Sequence, residues 1–281
     1  MKKLFVLLFL IIGIFILIIT NTSWLSFTQN DQQVEVTNEI KQIEIDVSGV
    51  DTTIIPENRN NVDAEYNGKG KVHIKEVGDS IEVEFESKNW FNFLSWFNKK
   101  DVTIYIPEDF DRDLSINSGS GSVNFSGKSN MELKNLSLEL SSGTIHLSHI
   151  AAENFESEGS SGNMTIDSLS SKTGTFKMSS GNMEINNYSG KLKATVSSGR
   201  LSLQMEQLTD NIEINVNSGF ANLDLPDNAD FSLTGKIGSG SITTNYPLTD
   251  ATEDKHKMTG VHGSGKYDLK LDVNSGKIEM K

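Results

Sequence analysis

A repeat constrains this chain more than any other feature. The heptad "SSGNMTI" (Ser160–Ile166) returns as "SSGNMEI" (Ser179–Ile185), so Gly181 follows Gly162 by 19 residues in nearly the same setting. Related copies are "SSGTIHL" from Ser141, "SSGRLSL" from Ser197, "NSGFANL" from Asn217, "GSGSITT" from Gly238 and "NSGKIEM" from Asn274. The glycines fall at Gly143, Gly162, Gly181, Gly199, Gly219, Gly240 and Gly276, at intervals of 19, 19, 18, 20, 21 and 36. A period near 20 residues is the length of one coil of a parallel β-solenoid, whose units bury their apolar faces by stacking. The last, longer interval predicts an insertion.

After each glycine, apolar and polar residues alternate. Ile145/Leu147, Met164/Ile166, Met183/Ile185 and Leu201/Leu203 share one face, while His146, Thr165, Glu184 and Ser202 share the other. A period of two is the signature of a strand. A second alternating run precedes most of the glycines, as in Leu136-Leu138-Leu140 and Ile212-Ile214-Val216. The unit is therefore strand, Ser-Gly corner, strand and polar return. Glycine suits the corner through its tolerance of positive φ and of close backbone approach.

The chain has no cysteine, which excludes disulfides and thiolate chemistry. Its formal charge of -13 argues against a nucleic-acid partner or an electrostatic grip on anionic lipid. Residues 1–27 begin with Lys2 and Lys3 and continue with an apolar run from Leu4 to Ile19. As a helix, Leu4 to Phe27 would reach roughly 36 Å, enough for a bilayer core of about 30 Å. No Ala-x-Ala site follows, so the expectation is a retained transmembrane anchor, with a cytoplasmic N-terminus and everything beyond it extracytoplasmic. Residues 28–33 read as a linker. Residues 34–110 lack the Ser-Gly period but still alternate, and are expected to form a β lead-in that caps the first coil. Residues 111–281 are expected to form the solenoid.

Few residues invite a chemical reading. His146 and His149 sit three apart, which on a strand sends them to opposite faces and suits a shared metal poorly. His256 and His262 lie near Asp250, Glu253 and Asp254 without a known ligand spacing, so a solvated loop is expected. "DLPDNADF" (Asp224–Phe231) lacks the calcium-roll repeat and reads as a polar corner. No catalytic residue, cofactor or metal site is expected. The contrasting reading, a hydrolase or lyase acting on cell-wall polymer from a β-helix scaffold, would require converging carboxylates on one face. The outward column His146, Thr165, Glu184, Ser202, Asn222, Thr243, Glu279 shows none.

One stretch departs from the alternation: "KNWFNFLSWFNKK" crowds Trp90, Phe91, Phe93, Leu94, Trp96 and Phe97 together. On a helix, Trp90, Phe93, Leu94 and Phe97 would form one apolar face. Such a face either plugs the subdomain core or the end of the solenoid, or contacts the membrane or a partner.

An apolar N-terminus, a lead-in closing on "VTIYIPEDF", successive "SSG" coils and a final "GSGKYDLKLDVNSGKIEM" together resemble the putative-adhesin family of bacterial β-strand-repeat proteins, in particular its LiaG-like members. The resemblance spans nearly the whole chain. It implies an all-β, non-enzymatic, membrane-anchored protein of the cell envelope, associated with the envelope stress response. The implied partners are the membrane and an envelope protein or surface polymer, and no catalytic residues come with it.

Overall fold

The computed structural model describes residues 33–67, 70–86, 100–128 and 131–281. The apolar segment 4–27 and the aromatic stretch 90–97 lie outside the described residues. Residues Gln32–Lys281 form one compact unit.

The strand Thr144–Gly159 shows how a coil is built. Ile145 and Leu147 are buried, then Ile150 and Ala152, then Phe155, Ser157 and Gly159. Between these sets two consecutive residues turn outward, first Ser148-His149 and then Glu153-Asn154. Each doublet flips the parity of a two-residue repeat, so the strand bends there while keeping its apolar side inward. Two such bends and the Ser-Gly corner make the coil three-sided, where the sequence predicted two strands and a return. At the first bend His149, Ser168 and Asn187 all adopt the left-handed conformation, with φ of 54°, 64° and 55°. These residues occupy equivalent places on successive coils.

Parallel ladders hold the coils in register, aligning Ile145 with Met164, Met164 with Met183, and Met183 with Leu201. Polar side chains form ladders of their own at the second bend: Asn135 Nδ2 donates to Asp113 Oδ1 at 2.7 Å, Asn154 Nδ2 to Asn135 Oδ1 at 3.0 Å, and Thr173 Oγ1 to Asn154 Oδ1 at 2.6 Å. The interval of 18 residues between Gly181 and Gly199 has a local cause. The register slips between Ser170 and Thr173 where they face Ser189 and Lys191, and Gly190, at φ 123°, absorbs the missing residue.

Stacking order and sequence order part company at both ends. The strands Gln42–Val47 and Val50–Glu57 form a coil wedged between Ser80–Glu86 with Asp101–Pro107 on one side and Asp113–Ser118 with Gly121–Ser126 on the other. The lead-in thus continues the same stack. At the far end, Tyr267–Val273 and Lys277–Met280 are wedged between the coil of Ile212–Val216 and Phe220–Asp224 and the coil of Phe231–Ile237 and Ser241–Thr244. The long interval before Gly276 is therefore not an insertion within one coil. It carries the chain out over the end of the stack and back between two coils already laid down.

Antiparallel strands close the ends. Lys71–Val77 covers Ser80–Glu86, Asn61–Asn67 covers Asp101–Pro107, and Val34–Glu35 pairs with Asn61–Asn67. At the other end Lys257–His262 covers Phe231–Ile237, and Thr249–Glu253 follows it.

Candidate interaction faces

The corner glycines form one column, ordered Gly143, Gly162, Gly181, Gly199, Gly219, Gly276, Gly240 along the stack. Gly143 and Gly162 hold φ of 112° and 110°. Gly181 shows the second requirement, since a Cβ there would meet the carbonyl oxygen of Gly162 far inside van der Waals distance. The corner serines tie the column together: Ser161 Oγ donates to the carbonyl of Ser141 at 3.2 Å, and Ser142 Oγ to that of Gly119 at 3.2 Å. These residues build the scaffold, and the polar side chains of the strands stand outward from it.

The face after the corner carries, in stacking order, His146, Thr165, Glu184, Ser202, Asn222, Glu279 and Thr243. It is polar and mixed. His146 Nε2 lies 3.6 Å from Asp167 on the next coil, while His149 stands at the bend. The pair does not converge on one point.

The face before the corner is sorted by charge. Glu44 and Asp46 lie directly between Glu82 and Glu84 on one neighbouring strand and Ser115 and Asn117 on the other. Glu139 is likewise opposite Glu158. Lys75 answers part of this charge, at 2.8 Å from Glu82 and 3.3 Å from Glu84. Burial, reinforced by Asp46, Glu82 and Glu84, pushes the Glu44 carboxyl above its ordinary range. Further along, Lys177 pairs with Glu156 at 3.0 Å and Lys193 with Glu213 at 2.9 Å, and the face becomes mixed. The sequence reading missed the acidic block. Alternating acids are visible in "IEIDV" and "SIEVEFES", but their adjacency arises only from the wedged coil.

Two grooves mark this face. One of about 600 Å³, lined by Asp46, His73, Glu84, Glu86, Asn117 and Glu139, adjoins the acidic block. The other, of about 500 Å³, is lined by Asn215, Asn217, Lys236, His256, Asp272 and Asn274 at the far end. Among the described residues no group of three or more His, Asp or Glu side chains is arranged to hold a metal. His262 is engaged structurally: its Nδ1 meets the carbonyl of Ala229, and its ring stacks on Phe231 at 5.4 Å. The "DLPDNADF" corner contributes Asp230, which accepts from Ser264 Oγ at 2.7 Å and from the Lys266 amide at 2.9 Å. Those hydrogen bonds hold the Asp230 carboxyl below its ordinary range.

The family profile described as Toastrack DUF4097 matches residues 40–281. The chain belongs to the Toastrack family. Among solved structures, a putative adhesin from Bacteroides fragilis NCTC 9343 shares the fold, with a TM-score of 0.52 at 12% identity over 89% of this chain and 95% of the other. A putative adhesin from Parabacteroides distasonis ATCC 8503 aligns at a TM-score of 0.45 and 15% identity, over 89% and 95% of the two chains. A putative cell adhesion protein from Clostridium sporogenes ATCC 15579 aligns at 0.30 and 14% identity, over 89% and 97%. No curated protein matches this Toastrack chain.

Proposed function

We propose that this Toastrack protein is a non-enzymatic, membrane-anchored extracytoplasmic contact protein of the cell envelope, acting in adhesion or in the envelope stress response. The observation that carries this reading is the pair of long outward faces on either side of the Ser-Gly corner, whose side-chain columns are fixed by parallel ladders and by hydrogen bonds at the corner and the second bend across successive coils. Repeat stacks of this kind present extended, pre-ordered surfaces and lose little entropy on contact. The shared fold with a putative adhesin from Bacteroides fragilis points the same way. The apolar run Leu4–Ile19, with lysines before it, supports the anchor.

Photo-crosslinking from Glu156, Glu184 and Ser202 in intact cells tests the reading. Adducts with an envelope protein or polymer from these outward positions support it. Release of soluble fragments from wall polymer by the purified chain would replace it with the hydrolase alternative. The mass of the mature chain tests the anchor, since a product beginning near Thr28 would exclude it.

A further inference from the structure

The end of the stack formed by Phe231–Ile237 and Ser241–Thr244 is closed unevenly. On the face before the corner, Lys257–His262 and Thr249–Glu253 cover it. On the other face it finishes on Ser241–Thr244, which among the described residues pairs only with Lys277–Met280. The Ser241 and Asn245 amides donate toward that neighbour, to Gly276 at 3.1 Å and Met280 at 3.1 Å. By strand alternation, the N–H and C=O groups of Ile242 and Thr244 point to the open edge.

The other outermost strands carry the devices that deter edge pairing. Lys71–Val77 has Lys71, His73, Lys75 and Glu76, Val34–Glu35 is two residues long, and Thr249–Glu253 combines acids with a register slip and a positive φ at Asp250. Ser241–Thr244 is short but uncharged, and no charge occurs from Ile237 to Thr249. Its surroundings also differ from the body of the protein. Residues 225–281 hold seven lysines against eight carboxylates, so nearly all of the chain's -13 lies elsewhere. Two such ends can approach each other without the repulsion that two acidic bodies would meet.

We infer that the edge of Ser241–Thr244 pairs with the same edge of a second copy, antiparallel about a two-fold axis through Thr243. In that register Ile242 faces Thr244 of the other copy, and Thr244 faces Ile242. Both are hydrogen-bonded pairs, so all four outward N–H groups and all four C=O groups are satisfied. The exposed Thr243 side chains meet across the axis as a Thr–Thr pair. The contact is isologous and closes on itself, giving a dimer in which the Ser241–Thr244 edge is fully paired. It joins two solenoids tip to tip, with their lead-in coils at the far ends. This deepens the contact-protein reading and rests on it.

The chain lacks cysteine, so Thr243→Cys introduces a single thiol on the axis. With the full-length chain purified at micromolar concentration, oxidation of Thr243→Cys yields a disulfide dimer at least about tenfold faster than oxidation of Asn222→Cys on the same face. Thr243→Lys abolishes self-association with an unchanged thermal melt, and mixing it with Thr243→Glu restores a heterodimer. Equal crosslinking at 222 and 243, or a Lys variant that associates like the parent, overturns the pairing. So does an adduct in cells at 243 to a different protein when the purified chain gives none. None of these failures bears on crosslinks from Glu156, Glu184 or Ser202, which test the broader reading.

Discussion

Thr52 sits in the core between Val102 and Val123 of adjacent coils, fully buried, and among the described residues its Oγ1 has no hydrogen-bond partner. A hydroxyl taken from water without a partner costs about 1–3 kcal/mol, and valine has almost the same shape. Thr52→Val should therefore raise stability by about 1 kcal/mol, read as a higher denaturant midpoint with an unchanged slope. Tyr188 is the opposite case. Its OH donates to the Lys191 carbonyl at 2.8 Å and pairs with Ser171 Oγ at 2.8 Å, beside the bend that Gly190 shortens. Tyr188→Phe leaves the buried Ser171 hydroxyl without its partner and should cost about 1–3 kcal/mol in the same measurement. Burial also pushes the Tyr188 phenol up to about 12, so it stays protonated through the physiological range.

Among the elements, the acidic block is where the fold works against itself. Like charges directly opposite on neighbouring strands destabilise a sheet by a few tenths to about 1 kcal/mol. Since the Glu44 carboxyl is raised in the folded protein, folding favours its protonated form, and stability falls as pH rises through that value. Glu44→Gln should be more stable than the parent at pH 7 by a few tenths of a kcal/mol. Below about pH 3, well under the ordinary glutamate value of about 4.3, Glu44 is protonated in folded and unfolded chains alike and the difference should vanish. Paired thermal melts at the two pH values decide it, and an advantage that persists in acid would show that repulsion is not the cause.

For the whole molecule, the wedged last coil changes how the solenoid responds to damage. A simple repeat array frays from its ends, because each unit touches only its neighbours. Here Leu269, Leu271, Val273, Ile278 and Met280 are buried between two coils, and just beyond the strand the Lys281 amide donates to the Leu223 carbonyl at 3.0 Å. At about 2 kcal/mol for each buried side chain, removing residues 267–281 withdraws roughly 10 kcal/mol, comparable with the net stability of an ordinary domain. Truncation after Lys266 should therefore unfold Phe231–Ile237 and Ser241–Thr244 as well, seen as lost amide-exchange protection over 231–262. Retained protection there would mean that this coil can stack directly on Ile212–Val216 and Phe220–Asp224.

Period and alternation alone determined the all-β class, the stacked coils and the inward residues, because a side chain's face follows from local strand geometry. The Ser-Gly column was legible from Gly143 onward for the same reason. The earlier copy "VSGVD" (Val47–Asp51) was illegible because no regular interval connects Gly49 to the series, and "NSGSGSV" (Asn117–Val123), whose Gly121 lies 22 residues before Gly143, was obscured by its doubled Ser-Gly pair. The three-sided coil escaped too, since its outward doublets look like ordinary breaks in alternation. Coil order, the acidic block and the open edge of Ser241–Thr244 were decided only by the tertiary structure. Which coil lies on which depends on apolar surface and ladder hydrogen bonds shared between segments distant in the chain, and a one-dimensional period carries no record of a coil that returns to fill a slot.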